Sequence, residues 1–151
     1  MTPGRRTLRY DDFDAITADV DRLLAGHQTV GQWSLAQICQ HLATMTRLVT
    51  DAPAPPPDTP PPSGDPELKQ KVFATGLLPE GIPLPPTLVL PPLRSEREEA
   101  EALRSALDHY AASPGPVIPH RVFGPLSQPE WDQLVRIHCA HHLSFAVPDE
   151  G

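Results

Sequence analysis

Three of the chain's seven histidines crowd into a single helical turn's worth of sequence: His138, His141 and His142, inside W-D-Q-L-V-R-I-H-C-A-H-H-L-S-F from Trp131 to Phe145. At 3.6 residues per turn, Trp131, Leu134, Val135, His138, His142 and Phe145 share one side of a helix. Two imidazoles one turn apart on an apolar face can reach a single cation, and burying both without a partner is costly. His41 is the natural third ligand, because it is the other histidine on a face that reads as buried. It lies in W-S-L-A-Q-I-C-Q-H-L-A-T-M-T-R-L-V, where Ile38, His41, Met45 and Leu48 recur at helical spacing beside Leu35, Leu42 and Val49. A three-histidine site leaves coordination positions open to water or substrate, the catalytic rather than the structural arrangement. Imidazole suits Zn, Ni, Fe or Cu, with zinc or nickel the expected divalent ion. Such an ion lowers the pKa of a bound water to about 7 or binds a thiol as thiolate, and with no convincing general base nearby the thiolate version is favoured. The competing reading is three core histidines, each satisfied separately.

The remaining polar candidates rank below this triad. His141 sits at the edge of the stripe, where it reads as a supporting neighbour of the ligands, an acid–base group, or a partly exposed residue bonding between helices. His27 and His120 fall in loops and His109 on an outer face, all expected to be solvated. Cys39 and Cys139 lie about 200° and 100° around their helices from the nearest ligand candidates and read as small packing residues. Trp33 suits a pocket mouth, Trp131 a core position. The acids of the first and third long helices read as a solvated face, one of them available to orient a ligand histidine.

Four amphipathic helices must position these groups. The first runs from a cap at Asp11 or Asp12 to Gly26, with Phe13, Ile16, Val20, Leu23 and Leu24 on one face, after a frayed basic arm at residues 1–10. The second holds His41, and the short link before it predicts that these two helices are antiparallel neighbours. A third opens at Ser95-Glu96-Arg97-Glu98, a capping box, buries Leu103, Ala106, Leu107 and Tyr110, and sits at the rim. The fourth opens at a second capping box, Ser127 with Glu130, with Leu126 and Trp131 as a hydrophobic staple, and ends soon after Phe145. No strand alternation competes with this all-α reading.

Between the second and third helices the chain changes character: 14 of its 21 prolines lie from Pro53 to Pro92. Proline lacks the N–H donor and restrains the residue before it, so this segment, 52–93, cannot be a continuous helix or central strand. It reads as an ordered strap over the helices, with a short helix at Glu67 to Thr75 and only 52–65 mobile. A ligand for another protein's aromatic groove is the lesser reading of the strap. Its apolar residues, Leu77, Leu78, Ile82, Leu84, Leu88, Val89 and Leu90, favour a lid over the metal cleft.

With 151 residues the chain suits one domain, 1–151. A formal net charge of -7 repels nucleic acid and anionic membranes at long range. Two cysteines make no disulfide framework, and neither a signal peptide nor a membrane span is apparent. A cytoplasmic protein with reduced thiols is expected.

The Trp33–Leu42 stretch resembles the second-helix signature of the DinB/YfiT-like superfamily, and His138-x-x-x-His142 resembles that superfamily's fourth-helix ligand pair. F-G-P-L-S-Q-P-E-W at Phe123 to Trp131, followed by H-x-x-H-H-L, is similar to the branch catalogued as domain of unknown function 1569, as is L-L-P-E-G-I-P from Leu77. The resemblance implies an up-down-down-up four-helix bundle, with the proline-rich segment as the crossover, and His41, His138 and His142 as the metal-binding triad. It also implies a metal-dependent enzyme, transferase or hydrolase, acting on a small molecule with a low-molecular-weight thiol as cosubstrate, and pairing through helix faces into a homodimer. The rival is a non-catalytic bundle whose histidine cluster or metal stabilises the fold or a dimer.

Overall fold

A computed structural model describes residues 4–60, 62, 64–79 and 90–149, and the chain in it is mainly helical. Among the described residues, five helices, α1 (Phe13–Ala25), α2 (Leu35–Asp51), α3 (Pro66–Thr75), α4 (Glu96–Ala112) and α5 (Gln128–Leu143), are joined by one two-stranded sheet of β1 (His27–Thr29) and β2 (Ala146–Pro148). The third and fourth amphipathic helices of the sequence are therefore α4 and α5. No helix among the described residues is long and apolar enough to cross a membrane.

The helix starts follow local chemistry. Asp12 accepts from the Ala15 amide to cap α1, and Ser34 and Gln37 form a reciprocal capping box on α2 that the spacing alone also allows. Ser127 and Glu130 form the expected box on α5. The box expected on α4 is only half made: Ser95 Oγ accepts from the Glu98 amide but donates to the Glu98 carboxylate, so that carboxylate does not turn back to the backbone.

One core draws on all four longer helices, with Ile16, Leu23, Leu35, Ile38, Leu42, Leu103, Leu107, Tyr110, Cys139 and Leu143 buried together. A second gathers Val72 of α3 with Phe123, Trp131, Leu134 and Ile137, and Leu126 packs against it as a staple should. Contrary to expectation, α1 approaches α4 and α5 rather than α2 most closely, while α2 packs most extensively on α4, which is therefore no rim helix. The cause lies in the link: His27, Gln28 and Thr29 pair antiparallel with Pro148, Val147 and Ala146, so the chain crosses the end of α5 before turning into α2. The same pairing ends α5 at Leu143, two residues before Phe145. On α2, Leu48 is 47% exposed where the stripe predicts burial, and Thr46 is buried instead.

The short helix expected within the proline-rich segment is present as α3. Asp65 caps α3 with Pro66 in the first turn, and Gly76 ends it in the left-handed conformation. Gly64, with φ of 71°, passes so close to Phe123 that a Cβ there would lie 2.9 Å from its carbonyl carbon. The docking continues through Asp65 N–H to Val122 O, Gln133 Nε2 to Phe73 O, and the Lys69–Glu130 ion pair. Leu77 and Leu90, expected to be covered, are 58% and 40% exposed. Ile82, Leu84, Leu88 and Val89, and with them the proposed lid, lie outside the described residues.

The N-terminal arm is not frayed in its described part. Arg6 grips the Asp19 carboxylate through both Nη atoms at 3.0 and 2.9 Å, Tyr10 donates to the same carboxylate at 2.5 Å, and Arg6 also reaches the Leu143 carbonyl at 3.0 Å. Burial alone would raise the Asp19 carboxyl; the hydrogen bonds from Arg6 and Tyr10 outweigh it and hold the group below the usual carboxylate range. Asp19 and Glu99, which also holds Arg94, are thus buried structural anions rather than a solvated face. Replacing Asp19 by alanine strands the Arg6 guanidinium and the Tyr10 hydroxyl, so a loss of about 2–3 kcal/mol is expected in urea unfolding. A change under about 0.5 kcal/mol would show that water replaces the carboxylate freely.

Candidate metal centre

His41 enters the site from the middle of α2, and His138 and His142 enter from adjacent turns of α5. His41 is 3% exposed, while the two α5 histidines are half-buried. One nitrogen from each ring can be chosen such that all three lie within 4.8 Å of one another. The Nε2 atoms of His41 and His138 are already 3.2 Å apart. Nitrogens around a tetrahedral ion at about 2.1 Å sit roughly 3.4 Å apart. The His41–His138 spacing is thus already close to that of a tetrahedral site, and the widest separation exceeds it by about 1.4 Å.

Electrostatics prepare the nitrogens as lone-pair donors. Burial pushes the His41 imidazole down to about 4. Burial, then repulsion from His41, His141 and His120, pushes His138 down to about 3, and the same kinds of cause lower His142. All three are neutral near pH 7, the form a metal requires. With three neutral ligands and no carboxylate in the group, a divalent ion would keep its full charge. His41 Nδ1 is buried without a hydrogen-bond partner among the described residues, so none of their carboxylates holds that nitrogen. Asp19 and Glu99, the buried acids of α1 and α4, bind Arg6, Tyr10 and Arg94.

Trp33 orients the rings instead. Its indole stacks on His142, with centroids 5.3 Å apart and planes 6° from parallel, and meets His41 edge-on at 5.1 Å. Its place one residue before the α2 cap was visible in sequence; its contact with His41 and His142 was not. Trp131 is core, as expected, 3% exposed.

His141 does not join the triad. Arg5 Nη2 lies 2.8 Å from its Nδ1; because a guanidinium can only donate, Nδ1 accepts and the neutral ring carries its proton on Nε2. The other histidines depart from the solvated reading in two cases. His120 stacks on Phe123 at 4.7 Å, accepts the Val122 and Phe123 amides at Nδ1, and is pushed down to about 4 by burial and then Arg121. His27 donates from Nδ1 to the Leu23 carbonyl at 2.8 Å. His109 remains exposed, paired with Asp51. Cys39 and Cys139 are buried outside the group, and burial, reinforced by Glu99 and Glu96, pushes the Cys39 thiol up to about 12.

Fold and site together define a mainly helical protein with a three-histidine centre between two of its helices. The family model described as "Protein of unknown function (DUF1569)" matches residues 3–56 and 67–149, and the chain belongs to that family. No curated protein and no solved structure matches it.

Proposed function

We propose that this chain is a DinB/YfiT-type four-helix bundle, up-down-down-up, that binds one divalent metal ion, zinc or nickel, on His41, His138 and His142. In this reading it acts on a small molecule as a metal-dependent enzyme, of transferase or hydrolase type, with a low-molecular-weight thiol as cosubstrate. The observation that carries it is the convergence of three neutral imidazoles from α2 and α5 within 4.8 Å, with no carboxylate among them. Such a donor set fits zinc, nickel, copper or iron better than magnesium or calcium, which take oxygen ligands.

When bound, the ion supplies Lewis acidity that favours the deprotonated form of a water or thiol at neutral pH. The chain's own residues hold the geometry: the α2 backbone places His41, and Trp33 keeps the rings of His142 and His41 in register. Half-burial of His138 and His142 supports an open position on their side, which a substrate needs. The second reading is a metal that stabilises the fold; the burial of His41 in the contact between α2 and α5 favours it. Pairing of two copies through helix faces belongs to the first reading, and a monomer mass in sedimentation would discard it.

Untagged protein should retain about one metal ion per chain. Cobalt(II), a paramagnetic ion, should quench Trp33, an effect lost in Trp33→Phe. Added thiol should then shift the cobalt visible spectrum. Absence of stoichiometric metal together with absence of quenching sinks the site; metal uptake with a spectrum indifferent to thiol leaves the stabilising role.

A further inference from the structure

We infer that Arg5, on the N-terminal arm, is a positioning residue for the metal ligand His142, acting through His141 and the end of α5; the inference rests on the metal-site reading above. His142 occupies a weak place for a ligand. It is the penultimate residue of α5, and the last turn of a helix lacks intrahelical donors for its carbonyls and frays unless held from outside.

The hold comes from 136 residues away in the chain. Arg5 Nε donates to Ser144 Oγ at 2.6 Å, while its Nη2 donates to His141 Nδ1 at 2.8 Å and lies 3.4 Å from the His141 carbonyl oxygen. The guanidinium also sits over the Phe145 ring, 4.4 Å from its centroid. Arg6 adds its amide to the Ser144 carbonyl at 2.9 Å and its Nη2 to the Leu143 carbonyl at 3.0 Å. Residues on both sides of His142 are therefore gripped by the arm. Cations at a helix C-terminus also suit the dipole there.

The grip reaches the ligand ring. His141 meets His142 nearly at a right angle, with centroids 4.8 Å apart, while Trp33 stacks on it from α2's side of the site. Arg5 sets the tautomer and orientation of His141, and His141 in turn confines His142. Arg6 is committed to Asp19 as well, so its loss would unsettle the fold; Arg5 is the arm residue whose fork is directed at the ligand's neighbour.

Charge and positioning make opposite predictions. The Arg5 cation repels positive charge at His142, so on charge alone its removal should tighten metal binding. Positioning requires the reverse. In cobalt(II) titrations of the full chain, Arg5→Ala should weaken binding by about tenfold or more, the scale seen when a group supporting a ligand is lost, and should alter the visible d–d spectrum. Arg5→Lys, which keeps the charge but not the planar fork, should also weaken binding. In a His142→Ala background the further change to Arg5→Ala should move affinity by less than about twofold, because the ligand it acts on is gone. Tighter or unchanged binding in Arg5→Ala overturns the inference, as does a full tenfold effect persisting in the His142→Ala background, which would indicate general loosening. Should Arg5→Ala fail to fold by circular dichroism, Arg5→Lys decides alone. Wild-type protein that takes up no cobalt overturns the metal-site reading and this inference with it; wild-type uptake with unaffected variants overturns this inference only.

Discussion

His138→Ala is expected to lower metal affinity by at least about 100-fold and to remove the stabilisation that metal gives. Losing even a group that merely supports a ligand costs about 10–100-fold, and His138 is itself one of three donors with no carboxylate in reserve. A ligand present at 100 times its Kd stabilises the native state by about 2.7 kcal/mol. For a chain of this size that corresponds to a rise in Tm of roughly 6–10 °C. The variant should show almost none of it. His138 also holds its Nε2 3.2 Å from that of His41, so the metal-free variant leaves His41 without that contact. Thermal scans with and without zinc, for wild type and variant, read this directly. Equal metal-induced shifts in both would remove His138 from the site.

The metal-free protein should lose stability as pH falls from about 6.5 towards 4, and metal should suppress that loss. The sign follows from proton counting. An unfolded histidine takes up its proton near 6.5. Folded His41 and His120 resist protonation down to about 4, and His138 down to about 3. In the window between, the unfolded state binds more protons, so stability falls with falling pH and levels off only once the folded rings protonate. For the almost fully buried His41 this amounts to at most about 2 kcal/mol by pH 5, and the other two act with the same sign. That is a large share of the roughly 5–15 kcal/mol a domain has.

A second window lies lower. Asp19, held down by Arg6 and Tyr10 against the cost of its burial, contributes stability above the ordinary carboxylate range that is lost as pH falls through its folded value. Urea midpoints in chelator at pH 7, 6 and 5 test the histidine window. A midpoint that does not change across them would mean that the rings already reach solvent. With zinc added, the midpoints should stay nearly level until protons compete for the ligands.

His41, His138 and His142 were legible in sequence because each depends on local periodicity: side chains one turn apart share a helix face whatever the helix packs against. The same reasoning found α5 and its capping box, since Ser127 and Glu130 satisfy each other within a single turn. Contacts that close over a hundred residues had no such signal. Arg5 and Arg6 read as a loose basic arm because no periodicity or capping pattern assigns their hydrogen bonds; their partners at Asp19, His141, Leu143 and Ser144 become neighbours only in the fold. His27 and His120 read as solvated although their partners are local, the Leu23 carbonyl for one and the Val122 and Phe123 amides for the other, because neither lies in a periodic stripe.

The sequence by itself therefore placed His41, His138 and His142 on the inner faces of their helices, because helix periodicity and capping are settled within a few residues. It also determined the mainly helical character, since helical periodicity recurs along the chain with no strand alternation to compete with it. Only the tertiary structure decided that α1 lies against α4 and α5, that Trp33 stacks on His142, and that Arg5 grips the end of α5. Those outcomes depend on how the short sheet of residues 27–29 and 146–148 draws both ends of the chain to one place, and no local pattern encodes a pairing between strands so far apart.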